Sequence, residues 1–157
     1  MGLHVSAHSY RVRPAGAADV PVWLSLRMAF WPEDSESAHR EQVADVLSDP
    51  DQAALLLVRD DGRVCGFAEV TIHPRAIGCE THRVGYLEGW FVEEGLRRAG
   101  LGRRLVEHAE RWAVSRGARE MASDTQVENA ISRAAHARLG YEEVQALVHF
   151  RKQIVPD

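Results

Sequence analysis

Apolar residues recur along the chain with two different periods, and each change of period marks a new element. Alternation at 10–13 ahead of Pro14 predicts a short first strand. Leu24, Met28 and Trp31 then share one side of a helix that Pro32 ends. After an acidic loop over 31–37 a second helix is expected over 38–47, closed by Asp49-Pro50-Asp51. Two segments rich in β-branched and aliphatic residues, 54–59 and 64–73, flank Asp60-Asp61-Gly62 and predict an antiparallel hairpin. A loop over 74–83 carrying Gly78 leads to a strand over 84–92, with Val84, Tyr86, Glu88, Trp90 and Val92 on one face.

From 102 to 116 the positions Leu105, Val106, Ala109, Trp112 and Ala113 recur at helical spacing, and Gly117 is placed to stop that helix. A short strand over 120–125, a helix over 129–139 ending at Gly140, and one or two closing strands over 143–154 complete the pattern. The expected order is β-α-α-β-β-β-α-β-α-β, without repeats or low-complexity tracts.

Composition narrows the class. A length of 157 residues with 45% hydrophobic and 27% charged content fits one domain over 1–157, with residues 1–9 expected to lie outside its ordered part. The formal charge of −4 argues against a nucleic-acid-coating surface and is compatible with a cationic small substrate. Cys65 and Cys79 are too few for a disulfide framework or a thiolate metal site, and the eight histidines show no ligand spacing, so no metal is expected. No run is long enough to span a membrane, and GLHVSAHS near the start is too short and polar for a signal peptide, so a cytoplasmic protein is expected.

The most informative segment is WFVEEGLRRAGLGRRL at 90–105, a strand end that passes through a Gly-rich, Arg-bearing turn straight into a helix. Gly100 and Gly102 permit backbone conformations and approaches that a β-carbon blocks, and a helix start presents unpaired N–H groups and a positive dipole end. Arg97, Arg98, Arg103 and Arg104 add guanidinium groups suited to phosphate oxygens. A phosphate-bearing ligand is expected there. The G-K-[ST] of a nucleotide P-loop is missing, and the turn does not follow the first strand of a βαβ unit as a dinucleotide fold requires.

Three separated motifs in order, YRVRPAGAAD at 10–19, R-x-x-G-x-G at 97–102, and a final helix that begins with Asn129 and ends in Leu139-Gly140-Tyr141, resemble the Gcn5-related N-acetyltransferase (GNAT) superfamily. The resemblance implies an α/β (α+β) fold with a mixed, mostly antiparallel sheet of six or seven strands flanked by about four helices. It also implies acetyl-coenzyme A as cosubstrate. The backbone of Arg98, Ala99, Gly100, Leu101, Gly102 and Arg103 would take the pyrophosphate, Phe91 and Val92 would face the pantetheine and thioester, and Asn129 would bond the pantetheine or simply cap its helix.

Within that superfamily, WLSLRMAFWP at 23–32, YLEGWFV at 86–92, ASD at 122–124 followed by Asn129, and HFRK at 149–152 resemble bacterial aminoglycoside 6′-N-acetyltransferases. An ammonium acceptor must lose a proton before its nitrogen attacks a thioester. Glu88, in an otherwise apolar strand, is the first candidate base, and Asp124 shares the work or positions the substrate; the plainer alternatives are a pairing of Glu88 with Arg27 or Arg83 and a turn or cap role for Asp124. Many superfamily members carry a Tyr where this chain has His136, so His136 is the candidate donor to the departing thiol. Trp31 with Glu33, Asp34 and Glu36 would suit a polycationic sugar, and Tyr86 adds an aromatic wall. The chain departs from the aminoglycoside enzymes at His73-Pro74-Arg75-Ala76, where they tend to carry Arg, an acidic residue and Tyr.

The resemblance implies acetyl transfer to the 6′-amine of an aminoglycoside by direct attack in a ternary complex. The competing readings are transfer to a protein N-terminus, polyamine or other small amine, and a non-catalytic acyl-coenzyme A sensor. A homodimer built on the edge of a strand over 146–154 is a further expectation.

Overall fold

The alternating segments pair in the order in which they occur. In the computed structural model, which describes residues 7–97 and 99–157, five strands form one sheet in the order β1-β2-β3-β4-β5. These are β1 (Tyr10–Pro14), β2 (Gln52–Arg59), β3 (Val64–His73), β4 (Val84–Val92) and β5 (Glu120–Ser123). The first four are antiparallel to one another in succession, and β5 lies parallel to β4. Four α-helices, α1 (Val20–Phe30), α2 (Glu36–Ser48), α3 (Leu101–Ser115) and α4 (Ala130–Arg138), complete a mixed α+β fold. The chain divides after Asp124 into two compact units.

In the first unit, Trp23, Leu24 and Leu26 of α1 and Val43 of α2 pack with Ala54, Leu56, Val58, Val64 and Phe67 of the sheet. The expected stripe on α1 is displaced. Met28 is 41% exposed, whereas Arg27 is 2% exposed, so a charged residue occupies the buried line and hides its period. The Ser35 hydroxyl accepts from the Ala38 amide at 3.1 Å and so starts α2 two residues before the expected position. Leu101, Leu105, Val106, Ala109 and Ala113 form the buried stripe of α3.

β4 departs from simple alternation at one residue. Glu69 pairs with Gly89 and Val70 with Leu87, which leaves Glu88 as an extra residue without a partner in the register. The bulge turns Trp90 and Val92 to the α3 side, where both approach Gly102, while Phe91 joins Phe30 and Phe67 on the α1 side. The expectation that Trp90 and Val92 share a face with Tyr86 and Glu88 is therefore corrected. One inserted residue reverses a period of two.

In the second unit, the Asn129 side chain accepts from the Ser132 amide at 3.0 Å and caps α4, and Gly140, at φ 89, ends that helix. Arg133 pairs with Glu143 at 2.7 Å. Residues 141–157 contain no strand, contrary to the closing strands expected over 143–154, and among the described residues the sheet has five strands where six or seven were expected. Val144 is 62% and Phe150 94% exposed. Alternation supplies strand propensity, but a strand forms only against a paired edge. No helix among the described residues is long and apolar enough to cross a membrane.

Candidate active site

The bulge places Glu88 on the wall of a cleft of about 480 Å³ between the sheet and the α1–α2 connection. Trp31, Asp34, Asp45, Glu69 and Thr71 line the same cleft. Trp31, Asp34 and Glu88, expected together from the sequence, thus share one space. Glu33 is exposed in the same turn and does not line the cleft, and Glu36 forms an exposed i,i+4 pair with Arg40. Gly89 makes the wall possible: a β-carbon there would lie 2.7 Å from Phe30 Cε1 and 2.7 Å from Trp31 Cζ2. Only a residue without a side chain lets both rings close on the strand.

Glu88 is bound neither to Arg27 nor to Arg83. Its Oε1 is 3.0 Å from His73 Nε2, while Arg83 binds Asp51 and the Arg116 carbonyl. The Tyr86 hydroxyl donates to the Asp124 carboxylate, and the Tyr86 ring stacks on His73 with centroids 4.5 Å apart. Burial, more than the bond to Asp124 and the charges of Asp124 and Glu88, raises the pKa of the Tyr86 phenol well above its ordinary value. Glu88, His73, Tyr86 and Asp124 therefore form one continuous polar group. Two of its members, Glu88 and Asp124, are the carboxylates picked out by acceptor chemistry.

Beneath the cleft lies a buried network that sequence reasoning missed. Arg27 donates to both oxygens of Glu69 and to the Gln42 side chain, and Trp23 Nε1 donates to Glu69 at 2.8 Å. Arg27 Nε lies 3.3 Å from His39 Nδ1. A guanidinium can only donate, so His39 Nδ1 accepts and its proton sits on Nε2, which donates to the Trp31 carbonyl at 3.1 Å. The Arg27 guanidinium also lies 4.8 Å from the Trp31 ring centroid. These contacts hold Trp31 by both backbone and ring. Arg27 and Glu69 are lone charges within apolar runs and His39 is one polar residue of a polar run, so no local signal joins them.

At the other end of β4 lies the Gly-rich turn. Gly100 has φ 77, immediately before α3, and no atom would meet a β-carbon there within 4 Å; its cost to other residues is conformational. The amides of Leu101 and Gly102 open the first helical turn, ahead of any carbonyl within the helix that could pair them. The Leu101 side chain is buried, and Ala99 is exposed. Arg97 Nε donates to the Val92 carbonyl at 3.0 Å and its guanidinium lies 5.6 Å from the Phe91 ring, while Arg104 donates to the Tyr10 carbonyl at 2.6 Å. These two side chains brace the turn; Arg98 lies outside the described residues.

The β4–β5 ladder ends at Leu87–Ser123, and the Ser123 hydroxyl donates to the Leu87 carbonyl at 3.0 Å. Beyond it β4 has no register partner on the β5 side among the described residues. In the second unit, Asn129 serves as the helix cap, and His136 Nδ1 lies 2.8 Å from the Ser132 carbonyl with its ring edge-on to Tyr141 at 5.8 Å.

The model of the "Acetyltransferase (GNAT) family" matches residues 20–141. An aminoglycoside N(6′)-acetyltransferase type 1 of Klebsiella aerogenes is 42% identical over 146 residues, covering 91% of this chain and 96% of the relative. The corresponding protein of Stenotrophomonas maltophilia is 37% identical, with coverages of 92% and 94%. Among solved structures, AAC(6′)-Iy in complex with the bisubstrate analogue CoA-S-monomethyl-acetylneamine superposes with a TM-score of 0.87 at 33% identity, covering 93% of this chain and 99% of that one.

Proposed function

The chain belongs to the acetyltransferase (GNAT) family, and on that premise we propose that it transfers acetyl from acetyl-coenzyme A to the 6′-amine of an aminoglycoside. The observation that carries this reading is the position of Glu88. It stands on the wall of an acidic, Trp-lined cleft, on the same strand that runs into the Gly100 turn. A carboxylate beside a cation-attracting cleft suits an ammonium acceptor, and a helix start with unpaired amides suits a pyrophosphate.

Acetyl-coenzyme A supplies the acetyl group as an activated thioester. The start of α3 suits its pyrophosphate, because Gly100 takes a left-handed conformation and the amides of Leu101 and Gly102 open the helix ahead of any intrahelical carbonyl. The backbone at Phe91 and Val92, beyond the end of the β4–β5 ladder, is the candidate contact for pantetheine. Asp34, Trp31 and Tyr86 form the acceptor wall, with Glu33 as an outer charge.

Glu88 accepts a proton from the 6′-ammonium group, the neutral nitrogen then forms a bond to the acyl carbon as the carbon–sulfur bond breaks, and the second proton lost by that nitrogen leaves to solvent. Asp124, held by Tyr86, adds a second negative charge to orient the ammonium ion. His136 is the proposed donor of the proton that completes the thiol. Its Nδ1–H donates to the Ser132 carbonyl, so Nε2 would give a proton only from the imidazolium form.

The purified protein should release thiol from acetyl-coenzyme A when given kanamycin or tobramycin, and should release none with an analogue carrying a 6′-hydroxyl group. Release that does not depend on the 6′-amine would overturn the regiochemistry. A second acceptor class is favoured by one observation: Arg75 is exposed just beyond β3, where a positive charge opposes a polycation. A panel including a polyamine and a peptide N-terminus separates the two classes.

A further inference from the structure

We propose that His73 is a positioning residue for the catalytic carboxylate, aiming Glu88 into the cleft. This inference rests on the reading of Glu88 as the base. Glu88 is the extra residue of the β4 bulge, so cross-strand pairing does not fix its backbone as it fixes the rest of β4. Its side chain is 36% exposed and has three rotatable bonds, and an untethered carboxylate in such a place samples several directions.

The tether comes from the end of β3. His73 Nε2 lies 3.0 Å from Glu88 Oε1, and the imidazole is itself stacked on Tyr86 with 20° between the ring planes. Tyr86 is in turn fixed by its bond to Asp124. An ionised carboxylate can only accept, so His73 Nε2 carries the proton and donates it to Oε1. Oε2 is left for the acceptor amine. The carboxylates that attract the substrate are those of Glu88, Asp124 and Asp34, and substitution of His73 removes none of them. Loss of His73 should therefore affect the orientation needed for proton removal much more than substrate affinity.

The test compares His73→Ala, His73→Gln and His73→Asn, each alone and with Glu88→Ala, by steady-state kinetics with kanamycin and acetyl-coenzyme A. The amide nitrogen of Gln reaches the place of the imidazole Nε2, and that of Asn does not. The expected result is a fall in kcat of about tenfold for His73→Ala and His73→Asn, with KM for both substrates changed by less than about twofold. His73→Gln should restore most of kcat, and His73→Ala should have no further effect once Glu88 is Ala. An undiminished kcat in His73→Ala, an equal loss in the Gln and Ala variants, or an additional loss in the Glu88→Ala background would each overturn the proposal.

A second measurement needs no turnover. The ring 15N spectrum of His73 in the free protein should show the proton on Nε2 and should change in Glu88→Ala; a ring indifferent to that substitution would also overturn the proposal. If the wild-type protein acetylates no aminoglycoside, the acceptor reading fails separately. The kinetic comparison then uses whichever amine the panel identifies.

Discussion

The phenol of Tyr86 on β4 donates a hydrogen bond to the carboxylate of Asp124, one residue past the end of β5. The bond joins two strands beside the point where their backbone ladder stops, and it keeps Asp124 within the polar group that contains Glu88.

The raised pKa of Tyr86 has a consequence at alkaline pH. A phenol whose pKa is higher in the folded state contributes stability below its unfolded pKa, about 10, and loses that contribution as pH rises above it. Thermal unfolding from pH 8 to 11 should show a steeper decline for the wild type than for Tyr86→Phe. Parallel curves would mean that Tyr86 ionises alike in both states.

Removing the proposed base separates chemistry from binding. Glu88→Gln keeps the shape of the side chain and removes its proton-accepting charge, so kcat should fall by about 10²–10⁴ while calorimetry finds coenzyme A affinity within twofold of the wild type. Joint loss of turnover and cofactor binding would make Glu88 a structural residue.

Gly89 tests the acceptor wall. Gly89→Ala forces Phe30 and Trp31 off the strand, which should raise KM for the aminoglycoside and leave KM for acetyl-coenzyme A unchanged. The overpacking should also cost about 1–3 kcal/mol in urea unfolding. Equal changes in both KM values would show that the wall is not acceptor-specific.

Breaking the buried pair should be costly. Glu69→Ala leaves Arg27 charged at 2% exposure, and a loss of about 3–5 kcal/mol is expected from chemical denaturation. Replacing Arg27 and Glu69 together by methionine should recover only part of this, because Trp23 Nε1 and His39 Nδ1 lose their partners. Full recovery would show that those two contacts contribute little.

The order of elements through β5 and the Gly100 turn were legible in the sequence, because hydrophobic period and glycine chemistry act locally. So was the gathering of Trp31, Asp34 and Glu88, through the resemblance of their motifs to a known acceptor site. The β4 bulge was not legible, since an unbroken apolar–polar pattern gives no sign that one residue has left the ladder. Arg27, Glu69 and His39 were hidden for another reason: each is satisfied by residues distant in the chain, and a charged residue in a buried stripe reads as an interruption. The segment over 143–154 illustrates the reverse case, a local pattern with no strand behind it.

Because β4 carries one more residue than its β3 partner across the bulge, its two halves are out of phase, like text set in two reading frames. Deleting a single residue at 88 would restore regular spacing and leave the upstream half unmoved. The downstream half would stay in place as well, with Trp90 toward α3 and Phe91 toward the aromatic cluster, because Leu87 and Gly89 already pair with consecutive residues of β3. The extra residue is thus an insertion that hangs a carboxylate over the cleft while the strand on either side of it runs on undisturbed.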